Sequence, residues 1–298
     1  MMQPRFLLCP PDHFSVDYAI NPYMQAGASV DRALARSQWE FLRDTLRIAG
    51  AVVEVQRPVA GLPDMVFTNN AALVYDGRAL LTRFRHDERR GEQVHNARTL
   101  KALGIDVMEL PPEVEAFEGM AEVVVFDGRA VCAVGDRTSI EAIPYISAFL
   151  GDMPTVPVHL VDPRFYHLDV AFCPLDERRA LVVPDAFDAL SLRRLYDVVP
   201  EPIELTIDEA LAFCGNAVVV GNMVLMNEVS PRLEQLLADM GFAAVQAPAS
   251  EFLKSGGSLR CLSLRLDLTT TPVFDGLFPA TVLVDTPLTR PALTLVDG

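Results

Sequence analysis

The chain has 298 residues, 50% hydrophobic and 22% charged, with a formal net charge of −15. That length is enough to bury an ample core in one or two domains. The acidic balance argues against a polyanionic partner such as nucleic acid, which needs a basic face, and is compatible with a small cationic ligand.

Taken in order, the chain repeats one pattern, a helix closed by glycine and followed by a short strand. Ala35, Trp39, Leu42 and Leu46 share a helical face, Gly50 ends the helix, and Val52–Val55 reads as a strand. Val94, Ala97 and Leu100 lead to Gly104 and Ile105–Leu110. Ile140, Ile143 and Ile146 lead to Gly151 and Val156–Leu160. A less regular copy runs from Leu190, Leu192 and Leu195 to Pro202–Leu205. The last opens on Ser230-Pro231, a cap followed by proline at the first helical position, and ends at Gly241 before Ala243–Val245.

Hairpins alternate with these pieces. Ala71–Leu81 holds two apolar runs around Asp76-Gly77, and Val123–Val131 repeats it around Asp127-Gly128, the strongest short hairpin signal. Weaker copies span Ala171–Val183 and Ala217–Met226. Cys261–Leu268 supplies one more strand, with Cys261 as its first residue, and Arg5–Leu8 is the expected partner, joining the two ends of the repeat array. Five strand–hairpin–helix units spaced by about fifty residues predict a single closed α/β domain over 1–268. A doubly wound sheet would give no reason for Asp-Gly hairpins between helices. The segment 269–298, rich in Thr and Pro, fits no unit and is expected to be an irregular C-terminal extension.

Each unit carries a loop between its short strand and its hairpin. These loops hold Asp64, Glu118, His167 with Asp169, Phe213–Asn216, and Gly256–Cys261. In a ring of five units, equivalent loops converge on one axis, so Asp64, Glu118, His167, Asp169 and Cys261 are expected in one central pocket. The stretch Ser255-Gly256-Gly257-Ser258 lets backbone come close to a ligand because no Cβ intrudes. A thiolate activated by an imidazolium is a soft nucleophile. Carboxylates around it raise the thiol pKa, which makes sense only if the substrate is a planar cation that they grip through its N–H groups. A guanidinium fits.

The segments Pro63–Ala71, Phe117-Glu118-Gly119, His167-Leu168-Asp169 and Gly256-Gly257 before Cys261 resemble the guanidino-group-modifying enzymes of the pentein superfamily. The opening Cys9–Met24 looks most like the arginine dihydrolase branch, next to dimethylarginine dimethylaminohydrolase. The resemblance implies a five-bladed α/β propeller that hydrolyses the guanidino group of arginine or an Nω-substituted arginine without a cofactor. It implies Cys261 as nucleophile, His167 as general acid and base, and Glu118 beside them. Asp64 and Asp169 would hold the guanidinium, Asn21 and Asn70 would contact substrate, and Arg89 and Arg137 would bind its α-carboxylate. Ornithine, ammonia and carbon dioxide are the products expected of a dihydrolase, whereas a deiminase or dimethylargininase would release citrulline and an amidinotransferase would pass the amidino group on. Non-enzymatic penteins also exist, but a binding scaffold has no need of this set of side chains.

Two departures stand out: Met120-Ala121-Glu122 follows Glu118-Gly119 where relatives usually carry Gly-Asp, and Asn69 stands where a small residue is expected. No metal-ligand spacing occurs, and the five cysteines (Cys9, Cys132, Cys173, Cys214, Cys261) form no C-x-x-C pair. Scattered thiols suit a reducing compartment, and the short apolar run Phe6–Cys9 is too brief for a signal peptide, so a cytoplasmic chain with no membrane partner is expected. Homo-oligomerisation is compatible with the sequence but not specified by it.

Overall fold

The structure is a computed structural model that describes residues 3–269 and the backbone of 294 and 295. Its strands form five small sheets among the described residues. In each complete unit two antiparallel strands are followed by a helix and a third strand parallel to the second. Ala72–Tyr75 pairs with Arg78–Leu81, which lies parallel to Asp106–Glu109. Val123–Phe126, Arg129–Val134 and Thr155–His159 repeat that order. So do Phe172–Pro174, Arg179–Val182 and Glu201–Glu204. The fourth set is Val218–Val220, Met223–Met226 and Ala243–Gln246. The remaining sheet joins the ends of the array: Arg5–Leu8 runs antiparallel to Leu264–Arg265 and parallel to Val52–Val55, as its apolar pattern predicted.

Local sequence explains these elements. The Asp-Gly turns adopt the paired left-handed conformation of a tight hairpin, with φ of 51° and 71° at Asp76 and Gly77 and 45° and 69° at Asp127 and Gly128. The first helix, Arg32–Ile48, is capped by Asp31, whose carboxylate accepts from the backbone of Ala33 and Leu34. The helix of the last repeat, Pro231–Asp239, is capped by Ser230 as expected. The sheets and helices bury three apolar clusters, centred on Phe165 and Phe172, on Leu73 and Phe149, and on Trp39 and Phe252.

The final strand begins later than the sequence pattern suggests. It covers only Leu264–Arg265, and Cys261 lies three residues earlier, in a turn. The amides that alternation would assign to a ladder are used otherwise, the Cys261 N–H donating to Asn216 Oδ1 at 3.2 Å. Of the segment expected to be an irregular extension, Thr294–Leu295 pairs antiparallel with Met108 and Glu109. Residues 270–293 and 296–298 lie outside the described part. No helix among the described residues is long and apolar enough to cross a membrane.

Candidate active site

The loops preceding the hairpins bring their polar side chains together. Each is a tight turn leading straight into a strand, so its side chains project at the strand's end. Asp64 sits in the 3-10 turn Pro63–Val66 and Asn70 in the turn Thr68–Asn70, just before Ala72. Glu118 precedes the turn Gly119–Ala121, and His167 caps the short turn Leu168–Ala171 that contains Asp169. All five are at most 3% exposed, as is Cys261. Asp64, Asn70, His167 and Cys261 line one small cavity together with Asn21, Arg89 and Arg137. The free space between them is about 10 Å³, enough for one water.

Glu118 is the anchor of the histidine. Its Oε2 lies 2.8 Å from His167 Nε2 and accepts from Arg137 Nη1 at 3.2 Å. Burial would raise its pKa, but the charge of Arg137 and the hydrogen bond to His167 outweigh that and hold the carboxyl far below its ordinary range. Glu118 is therefore a fixed anion that orients the imidazole.

Cys261 is held from the other side. Asn216 Nδ2 donates to its sulfur at 3.2 Å and to the Asp169 carbonyl at 3.0 Å, while Asn216 Oδ1 accepts from the amides of Arg260 and Cys261. The thiol donates to Asp169 Oδ2 at 3.4 Å, and Asn69 Nδ2 donates to the same oxygen at 2.7 Å. Burial first, and the charge of Asp169 second, push the Cys261 thiol well above its ordinary pKa, which favours the neutral thiol. Asp64 and Asp169 are likewise raised by burial, against the pull of Arg89 and Tyr18 on Asp64 and of His167 and Arg260 on Asp169.

Several buried polar atoms here have no hydrogen-bond partner: Asp64 Oδ1, Asp169 Oδ1 and Asn70 Nδ2. Leaving such groups bare costs about 1–3 kcal/mol each, so a site that keeps two acceptors and an amide donor unpaired is shaped for a polar ligand.

The two arginines differ. Arg89 gives Nε and Nη2 to the Glu92 carboxylate, both at 2.9 Å, and Nη2 also reaches the Asp64 carbonyl at 3.1 Å. Arg137 donates to Glu118 and to the Ile20 carbonyl, and its Nε forms an ion pair with Asp136 at 3.4 Å. Asn21 Nδ2 donates to the Ser255 carbonyl at 3.0 Å, pinning segment 10–30 over the site; from the same segment the Tyr18 hydroxyl donates to Asp64 Oδ2 at 2.8 Å.

The Gly-Gly pair permits close approach, but of protein rather than only of ligand. A Cβ on Gly257 would stand 2.3 Å from Phe67, and one on Gly256 would stand 2.8 Å from Asn21 and 2.9 Å from the Tyr166 hydroxyl. Sequence reasoning therefore placed the loops correctly but missed Asn216, Asn69, Tyr18 and Tyr166 as parts of the site. Asn216 had a signal, since it occupies the fourth of the five equivalent loops. Asn69, read as a departure, is the residue that fixes Asp169.

A small-sheet α/β fold with a buried cysteine, a carboxylate-bound histidine and two aspartates that each keep one oxygen without a partner defines the class of pentein guanidino-modifying enzymes. Within it, the chain belongs to the family described as N,N dimethylarginine dimethylhydrolase, eukaryotic, whose profile matches residues 10–267. It is 40% identical over 99% of its length to the bifunctional arginine dihydrolase/ornithine cyclodeaminase ArgZ of Synechocystis, and spans about two fifths (41%) of that protein. It is 36% identical to the N(G),N(G)-dimethylarginine dimethylaminohydrolase of Mycobacterium tuberculosis, covering 88% of this chain and 85% of the relative. Among solved structures, the N-terminal domain of ArgZ bound to product superposes with a TM-score of 0.87 at 39% identity, covering 91% of this chain and all of that one.

Proposed function

We propose that this chain hydrolyses arginine to ornithine, ammonia and carbon dioxide through a covalent intermediate on Cys261, and that its five sheets are the blades of one closed propeller. The observation that carries the reading is the pair of unpaired buried oxygens, Asp64 Oδ1 and Asp169 Oδ1, beside a neutral buried thiol. A guanidinium supplies the N–H groups those oxygens lack. Its positive charge offsets the Asp169 carboxylate and so lowers the thiol pKa only when substrate is present. The Cys261 thiol passes its proton to His167 as the sulfur attacks the guanidinium carbon, His167 delivers that proton to the departing ammonia, and an amidino-thioether remains. His167 next takes a proton from water, which adds to the carbon and expels the thiolate, giving a ureido group. Asn21 and Asn70 offer amides to this neutral group once the cationic charge is gone, Asn70 Nδ2 being unpaired and waiting for an acceptor, so that a second round yields ornithine. Arg89 is tied to Glu92 and the Asp64 loop, so Arg137, whose Nε makes only a 3.4 Å ion pair with the exposed Asp136, is the better placed of the two arginines for the substrate carboxylate. A relative supports the covalent step, since the N-terminal domain of ArgZ has been captured covalently bound to a reaction intermediate.

Dimethylarginine is the second reading, favoured by the family match. Incubation with arginine, dimethylarginine, citrulline and agmatine, with products identified by mass spectrometry, separates the two. Ornithine from arginine without accumulating citrulline is expected, and Cys261→Ser should lower turnover on the order of a thousandfold or more. Citrulline with dimethylamine from dimethylarginine as the preferred substrate, or amidino transfer to an added amine, would overturn it.

A further inference from the structure

The fourth inner loop carries a polar side chain that the reaction leaves without a part. Phe213, Cys214, Gly215 and Asn216 join the helix Ile207–Leu211 to the strand Val218–Val220. Phe213 has a φ of 62°, a conformation that costs a residue with a side chain on the order of 1–3 kcal/mol. A Cβ on Gly215 would stand 2.4 Å from the Val170 carbonyl oxygen, so the loop presses on the short turn that holds Asp169. This constrained backbone delivers Asn216, fully buried, to the nucleophile.

The Asn216 amide uses both its donors and its acceptor there. Nδ2 donates to Cys261 Sγ at 3.2 Å and to the Asp169 carbonyl at 3.0 Å, and Oδ1 accepts from the amides of Arg260 and Cys261 at 3.1 and 3.2 Å. The opposite orientation would set Oδ1 against a carbonyl oxygen and the NH2 group against two N–H groups. The network therefore fixes an N–H, not an oxygen, on the sulfur. The other side-chain contact of the sulfur, Asp169 Oδ2 at 3.4 Å, accepts the thiol hydrogen. One contact thus suits the thiol, and the other strengthens once the hydrogen has left. Burial and then Asp169 push the thiol up, whereas the Ser258 backbone and the Asn216 amide pull it down. The remaining charged or titratable side chains around the sulfur are Tyr166, His167, Asp64, Arg89 and Arg137.

We propose that Asn216 is a catalytic residue whose N–H group stabilises negative charge on the Cys261 sulfur; this rests on Cys261 being the nucleophile, as proposed above. That charge develops twice. It first appears as the thiol proton passes to His167 and the sulfur bonds to the guanidinium carbon. It returns when water has added to that carbon and the C–S bond breaks, its electron pair leaving on sulfur. Between these steps the sulfur is a thioether, a weak acceptor. The hydrogen bond is therefore stronger in the two transition states than in the intermediate they flank.

The test compares Asn216→Ala and Asn216→Asp with the wild-type full chain, by the rate at which iodoacetamide alkylates Cys261 and by steady-state kinetics with arginine. Below the thiol pKa, the alkylation rate scales with the thiolate fraction. Loss of the donor should slow it about tenfold in Asn216→Ala. Asn216→Asp keeps an oxygen for the two backbone amides, and its carboxyl should slow alkylation further. In both variants kcat should fall about a hundredfold, with KM changed less than about threefold. A role confined to holding the turn predicts the opposite for alkylation, because a loosened turn exposes the buried thiol. Alkylation as fast as in the wild type, or an unchanged kcat, would overturn the proposal in whichever of the two variants folds. Wild-type Cys261 whose alkylation arginine does not slow would overturn the nucleophile assignment and this inference with it. Arginine protection in the wild type, with equal alkylation rates in the variants, would overturn the inference alone.

Discussion

The strands Ala72–Tyr75 and Val123–Phe126 each connect two kinds of turn. At one end Asp76-Gly77 and Asp127-Gly128 lie exposed, and a Cβ on either glycine would meet nothing within 4 Å. At the other end the turns holding Asn70 and Glu118 are buried, and a Cβ on Gly119 would stand 2.9 Å from the Ala72 carbonyl. The outer turns are solved locally, by two residues that accept positive φ. The inner turns are solved only by what other units bring: Asn69 from one unit fixes Asp169 of another, and Asn216 of a further one grips Cys261. Local turns tolerate change at a fixed small cost, whereas the shared turns fail together.

Substitutions at the two ends sharpen this contrast. The largest effect is expected at the inner end, from Glu118→Gln. It removes the anion from His167 and leaves Arg137 buried beside a neutral amide, so activity should fall on the order of a hundredfold or more and stability by about 3–5 kcal/mol. The pH dependence has a definite sign. Because the folded-state pKa of Glu118 is depressed from its ordinary 4.5, its contribution is fully present above about pH 4.5 and is lost as pH falls through the folded value. Chemical denaturation at decreasing pH should therefore show the wild type losing stability below that point, and Glu118→Gln losing less. Equal pH dependence in the two proteins would show that Glu118 is not the buried anion described here.

A smaller loss is expected from Gly257→Ala. The added methyl meets Phe67, itself packed edge-on against Phe14 with ring centroids 6.0 Å apart, so this ring, which lines the Cys261 cavity, must shift. Overpacking of this kind costs about 1–3 kcal/mol, and KM for arginine should rise more than kcat falls. Steady-state kinetics with an unchanged KM would place Phe67 away from the substrate. The smallest effect belongs to the outer turn. Gly77→Ala strains a φ of 71° at an exposed site and should cost about 1 kcal/mol, read as a lower melting temperature, with kcat and KM unaltered. A change in kinetics there would show that the two ends are coupled.

The sequence by itself determined the repeat, because helix faces, glycine caps and Asp-Gly turns are short-range features, each set by residues within a few positions of one another. It also set Asp64, Glu118, His167, Asp169 and Cys261 in equivalent loops, which requires only the period of the repeat and the order of strand, loop and hairpin. What the tertiary structure decided is how those side chains pair. Alternation assigned Cys261 to a strand, yet its amide is taken by Asn216, forty-five positions away. Arg89 and Arg137 looked equivalent, but Glu92 occupies one, while the other spans Glu118 and the Ile20 carbonyl. Asn69 and Glu122 read as departures and proved to touch Asp169 and His167. Partnership between buried polar groups depends on distances across units, and on which charges share a space without water to screen them. No local pattern in the chain encodes those distances.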